Sequence, residues 1–208
     1  MMFRFLKISI SAFFVAHLTS CVTPTTAGYQ GLDGVNGEVV ERSREKAPAW
    51  AGLRPFSFHE QAFTLGYVHV ENQHPDLPLG IKKSQLNALL QGKNVFRDRL
   101  KASVDEAATS VRLSYDQVSS GGAFHLDEVS EQAWSANAKI ADIFFEKFRP
   151  AVASKGIEEF YNIFVMVEVP KSVIVESLRN VARRFKSTGK PDLQKIGAAI
   201  DSMNSVAH

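Results

Sequence analysis

The most regular stretch of the chain reads Phe160-Tyr161-Asn162-Ile163-Phe164-Val165-Met166-Val167-Glu168-Val169. Tyr161, Ile163, Val165, Val167 and Val169 fall on one face, the period of two expected of a strand. Ala62 to Glu71 is rich in aromatic and β-branched residues and alternates in part. It places Phe63, Leu65 and Tyr67 on one face and Thr64, Gly66, Val68 and Val70 on the other. Between these strands the period changes. From Ser84 to about Tyr115, Leu86, Leu90, Phe96, Leu100, Val104, Ala107 and Val111 recur mostly at three- and four-residue steps, which predicts helix, with Gly92 a point where it could split. After Pro170, Ile174, Leu178, Val181 and Phe185 step by four, three and four, an amphipathic helix that Ser172 is placed to cap. Gly189 and Pro191 break it, and Leu193, Ile196, Ile200 and Met203 outline a weaker last helix.

The segment 138–149 fits both periods. Ile140, Ile143, Phe144 and Phe148 fit a helix face. Ile143, Phe145 and Lys147, with Phe144, Glu146 and Phe148 opposite, fit a strand. The turn residues of Pro150–Gly156 and the strand that follows favour a strand over 140–149, paired antiparallel with 160–169. Both of its faces would then be apolar, so the face away from the helices needs a cover, which a second copy or a partner could provide. Asp127–Asn137 is helical or irregular. His74–Gly80, with two prolines, and Val118–Ala123, with paired glycines, read as loops. The order strand, helix, strand, strand, helix predicts an α+β fold: a small antiparallel sheet of about three strands with helices packed on one face.

The first residues have another character. Arg4 and Lys7 precede a short apolar stretch, Ile8 to Leu18, too short to cross a bilayer as a helix. It reads as the core of a secretory signal and ends in Leu18-Thr19-Ser20-Cys21. This tetrapeptide resembles a bacterial lipobox, in which the cysteine sulfur receives diacylglycerol, cleavage falls between Ser20 and Cys21, and the new amino group takes a further acyl chain. Two or more chains anchor stably where one does not. Cys21 is the single cysteine of the 208 residues, and acylation accounts for its lack of a disulfide partner. By resemblance to the sorting rule of enteric bacteria, Val22 rather than Asp after it points to the outer membrane, with the periplasmic face as the expected side. The expected organisation is a signal peptide at 1–20, a flexible tether at 21–47 poor in large apolar residues, a domain at 48–186 and a tail at 187–208 carrying the weak helix.

Charge narrows the partners. The whole chain carries 24 Lys and Arg against 22 Asp and Glu. Loss of residues 1–20 removes Arg4 and Lys7 and leaves the two in balance, so net charge makes no case for nucleic acid. The membrane, through the anchor, and a second copy or another envelope protein are the expected partners.

No catalytic constellation stands out. The six histidines are His17, His59, His69, His74, His125 and His208. His69, His74 and Asp76 lie near one another in sequence and are the only candidates for a surface metal site, but their spacing matches no known ligand motif. Ser119-Ser120-Gly121-Gly122 lacks the Gly-x-Ser-x-Gly elbow. Gly92-Lys93 and Gly189-Lys190 lack the rest of a phosphate loop. Glu158-Glu159 reads as a solvated lead-in to the strand, and Arg179, Arg183, Arg184 and Lys186 as the solvated face of a helix. No catalytic residue and no cofactor beyond the acyl chains on Cys21 is expected. A small periplasmic ligand- or metal-binding or hydrolytic domain, with its site built from His69, His74 and Asp76, is the alternative.

In the order of its lipobox, its Pro48-Ala49-Trp50 stretch, its Gly66-bearing strand, the long helix at 94–115 and the closing strand Phe160–Val169, the chain resembles the LPP-twenty family of small bacterial outer-membrane lipoproteins, over roughly residues 47–186. The resemblance implies a non-enzymatic envelope role, by self-packing or by docking to surface machinery, in some relatives around the flagellar base.

Overall fold

The structure is a computed structural model and describes residues 37–151 and 159–206, with side chains at 115–124 and 205–206 left out. Strands β1 (Gly37–Arg42), β2 (Phe58–Glu60), β3 (Thr64–His74), β4 (Lys139–Pro150) and β5 (Phe160–Pro170) form one sheet. Its order is β1-β4-β5-β3-β2, with every neighbouring pair antiparallel. Helices α1 (Leu77–Ser110) and α2 (Tyr115–Asn137) connect β3 to β4, and α3 (Lys171–Ser187) and α4 (Pro191–Val206) close the chain. The fold is α+β, as expected, with five strands rather than about three. The two added strands lie at the edges, where β2 is only three residues long and β1 carries mostly exposed positions, so neither has a strong alternating pattern.

The ambiguous segment is strand β4. Ile143 lies opposite Val165 and Phe145 opposite Ile163, on the helix-covered face. Phe144 lies opposite Phe164, and Phe148 opposite Phe160, on the far face. The main core joins Leu65 and Tyr67 of β3 and the Ile163–Val169 face of β5 to Phe96, Leu100 and Val104 of α1, Trp134 of α2, Leu178, Val181 and Phe185 of α3, and Leu193, Ile196 and Ile200 of α4. The residues after 187 are therefore part of the domain and not a tail: the apolar stripe of α4 is buried against α1 and α3.

The expected tether also ends too late. Residues 37–42 pair with β4, and the chain then crosses the far face of the sheet. Trp50 and Ala51, in a single 3₁₀ turn at Ala49–Gly52, pack on Val68, Val70, Phe144, Phe164 and Met166. The segment is poor in large apolar residues, and polar contacts hold it. Arg44 grips Asp142 through two hydrogen bonds of 2.6 and 3.0 Å, Trp50 Nε1 donates to the same carboxylate at 3.0 Å, and Arg42 pairs with buried Glu146 at 2.9 Å. The cover that the two-sided apolar pattern of β4 called for comes, at this place, from the chain itself.

Helix α1 begins at Leu77, inside the expected loop. Asp76 accepts a hydrogen bond from the Leu79 amide at 2.8 Å, and Pro78 sits in the first turn, where its missing N–H costs nothing. The helix does not split at Gly92. Its buried ridge is Gly80, Ser84, Ala88, Gly92, Phe96, Leu100, Val104 and Ala108, small in the first half and large in the second. Leu86 and Leu90, assigned to the buried face by size and spacing, are 59% and 51% exposed. The small residues let the helix approach the sheet and α2 closely: a Cβ on Gly80 would lie 2.5 Å from Ile163 Cδ1 of β5, and one on Gly92 2.7 Å from the Trp134 ring of α2. Val118–Ala123, expected as a loop, lies within α2. Helix α3 starts directly after Pro170 with no side-chain cap, because Ser172 is already inside its first turn. The turn at Pro150–Gly156 falls mostly outside the described residues.

Candidate functional site

The attachment and cleavage residues, Cys21 and Ser20, lie outside the described residues, as do His17, Glu158 and His208. Among the described residues no helix is long and apolar enough to cross a membrane.

The three residues weighed as a metal site part company. His69 points from β3 toward α1 and is 2% exposed. His74, at the end of the same strand beyond a register shift, holds Nδ1 2.6 Å from the Asp76 carbonyl oxygen. The Asp76 carboxylate is spent on capping α1. Among the described residues no three His, Cys, Asp or Glu side chains converge as a metal site would require.

His69 instead belongs to a polar seam between β3 and α1. Alternation along β3 puts Tyr67, His69 and Glu71 on the helix side, and the first turns of α1 supply Lys83, Ser84, Asn87 and Gln91 opposite. Lys83 Nζ lies 2.6 Å from Glu71 Oε1, and Asn87 Nδ2 donates to Glu71 Oε2 at 3.3 Å. Tyr67 Oη donates to Gln91 Oε1 at 3.4 Å. Neither ring nitrogen of His69 has a hydrogen-bond partner among the described residues, nor does the Ser84 hydroxyl. Glu71 Oε2 is 3.8 Å from His69 Nε2, and Phe56 meets the imidazole edge-on at 5.5 Å. Burial pushes the His69 pKa down more strongly than Glu71 pulls it up, so the ring is neutral at pH 7. Burial would raise Glu71, but the hydrogen bond and charge of Lys83, with Asn87 and His69, hold it below the usual carboxylate range. Burial raises Tyr67 to about 12. The seam thus holds a neutral imidazole, a neutral phenol and a carboxylate already neutralised by lysine. General acid–base work needs a group within reach of a substrate proton, and His69 is sealed off. The geometry is that of a packed polar joint.

Some of the remaining candidates have partners. Glu159 pairs with Lys147 at 2.5 Å and Arg149 at 2.6 Å, an ion-paired lead-in to β5. On α3, Arg184 bonds Glu128 of α2 and Lys186 bonds Asp201 of α4, tying three helices together. The Arg44–Asp142–Trp50 contact escaped the sequence, because nothing local in a polar stretch marks one arginine for an aspartate 98 residues on. Comparison of the chain with protein-family models, with curated proteins and with solved structures finds no match.

Proposed function

We propose that the chain is a lipid-anchored protein of the bacterial cell envelope whose domain serves a structural or interaction role, by self-assembly or by docking to envelope machinery, and not a catalytic one. The observation that carries the reading is Leu18-Thr19-Ser20-Cys21 after a basic start and a short apolar stretch. The position of the domain supports it. The first described strand begins at Gly37, so residues 22–36 of the sequence separate Cys21 from β1. At ~3.6 Å per residue they reach at most about 54 Å, which keeps the domain close to the lipid surface. The outer membrane, reached as a periplasmic-face anchor, is the expected location.

The test is Cys21→Ala expressed in a bacterial host. The parent incorporates labelled fatty acid and sediments with outer membrane, whereas the variant takes up no label and leaves the membrane fraction. A variant that still sediments with membrane sinks the anchor. Crosslinking the anchored protein in cells then addresses the role: capture of itself or of one defined envelope component supports it, and capture of nothing counts against it.

A further inference from the structure

Helices α2 and α3 run antiparallel. Glu128 meets Arg184 at one end of the pair, and Asn137 and Val173 line the other. Between them lies an open groove of about 430 Å³, within the size range of small-ligand sites. Val129, Ala133 and Val173 give it an apolar floor. The wall formed by α3 presents Glu176, Asn180 and Arg183, spaced i, i+4 and i+7 on one face.

These three side chains have no hydrogen-bond or ion-pair partner among the described residues. The contrast with their neighbour is informative. Arg184, one residue on, also lines the groove but is bound by Glu128, so the lining guanidinium left without a partner is that of Arg183, at the ridge between this groove and the cleft toward α4. At the other end Glu176 is an unpaired carboxylate. The seven-residue step from Glu176 to Arg183 corresponds to about 10 Å along the helix axis. The groove wall therefore presents a negative side chain and a positive side chain on residues about 10 Å apart along the helix axis, an unpaired amide between them and an apolar floor beneath.

We propose that this groove binds a short peptide with free termini, its ammonium group at Glu176 and its carboxylate at Arg183. Extended chain spans ~3.3–3.6 Å per residue, so about three residues match the separation of the two charges. A single amino acid is too short to engage both. Asn180, placed between the ends, can donate to and accept from a ligand peptide group, as a side-chain amide does. The floor of two valines and an alanine suits small apolar side chains. Arg179, a turn before Arg183, adds positive charge near the carboxylate end, while the charge of Lys186 is met by Asp201. This site does not depend on the anchor, and its failure leaves the proposed location untouched.

The experiment is calorimetric titration of the full chain in detergent with trialanine, N-acetyl-trialanine, trialanine amide and free alanine. Trialanine is expected to bind, with each capped form weaker by about two- to fivefold, the worth of one exposed charge contact. Arg183→Gln should weaken trialanine by the same factor and leave the amide form unchanged. Glu176→Gln should do the same for the free-amine form and leave the N-acetyl form unchanged. Glu176 and Arg183 are exposed, and unchanged thermal midpoints will show that the variants are folded. No binding at millimolar trialanine overturns the proposal. So does binding that ignores both caps and both substitutions, since the peptide would then sit elsewhere.

Discussion

Replacing Gly92 by alanine sets two effects against each other inside α1. Glycine within a helix is worse than alanine by about 1 kcal/mol, so propensity alone makes Gly92→Ala stabilising. Packing opposes it. The new methyl group would lie 2.7 Å from Cη2 and Cζ2 of Trp134 and 3.1 Å from Cδ1 of Tyr67. The indole has little freedom to retreat. Its Nε1 donates to the Leu89 carbonyl at 2.9 Å, and the rings of Phe58 and Phe96 stand at 6.2 and 5.7 Å from it. Overpacking of a filled core costs about 1–3 kcal/mol, and losing the indole hydrogen bond adds roughly 1 kcal/mol. Packing wins, and the expected net loss is about 1–3 kcal/mol, a fall in thermal midpoint of roughly 2–12 °C for a chain of this size. Urea unfolding followed by tryptophan fluorescence measures it. The stronger test is a change of sign. In a Trp134→Phe background the benzo ring that meets the methyl group is gone, and Gly92→Ala should become neutral or stabilising. If Gly92→Ala stabilises the parent chain, or costs the same in both backgrounds, the close approach of α1 and Trp134 is wrong.

Three further outcomes follow from other parts of the fold. Ile196→Ala, at a fully buried position of α4, should lower stability by about 2–5 kcal/mol, whereas a substitution in a loose tail would leave the urea midpoint unmoved. Arg44, by hydrogen bonding, holds the Asp142 carboxyl below its ordinary range; because the folded pKa is the depressed one, this stabilisation is present above about pH 4 and fades as pH falls through the folded value. Asp142→Asn should therefore be less stable than the parent at pH 7, with the gap closing in acid, and a gap independent of pH would count against the ion pair. His69 titrates in the opposite setting. Its folded pKa is lowered by burial, so below about pH 6.5 the unfolded chain binds the extra proton and stability falls as pH falls. The groups facing it are Glu71 on its own strand, Lys83 and Gln91 on α1, and the Phe56 ring. His69→Leu should flatten the stability profile between pH 6.5 and 5, and an unchanged slope would locate the titration elsewhere.

The centre of the sheet was legible in β3 and β5, which carry alternation in large side chains, whereas β4, apolar on both faces, fitted two periods and was placed as a strand by its neighbours. The first half of α1 was not legible. Its buried ridge is glycine, serine, alanine and glycine, while Leu86 and Leu90 face outward, so a search for large residues at helical spacing selects the wrong side. Close approach to the sheet rewards small residues where a pattern search rewards large ones. The edges failed for a different reason. β1 and the strap at 43–52 are held by Arg42, Arg44 and Trp50, whose partners Glu146 and Asp142 are distant in sequence, and a polar segment with distant partners looks like one with none. Of the site candidates, His69 was singled out by residue type and proved a buried joint. Arg183 was read as part of a charged helix face, whereas Glu176 was not singled out, and the groove they line along α3 needed α2 in place.

The place of β1 in the sheet has a mechanical consequence. It is an outer strand, joined to the sheet by β4 alone, and its first residue, Gly37, is paired with Pro150 at the very end of that ladder. A load arriving from the N-terminal side and directed off the sheet edge meets these backbone bonds one pair at a time, like a zipper, and not all at once as in shear. Opening them uncovers Glu146 and brings the tension to the Arg44–Asp142 clasp. Only when the clasp gives does the strap lift from Phe144, Phe164 and Met166. The domain thus has a graded mechanical fuse on the side from which it would be pulled, and the helical core lies beyond it.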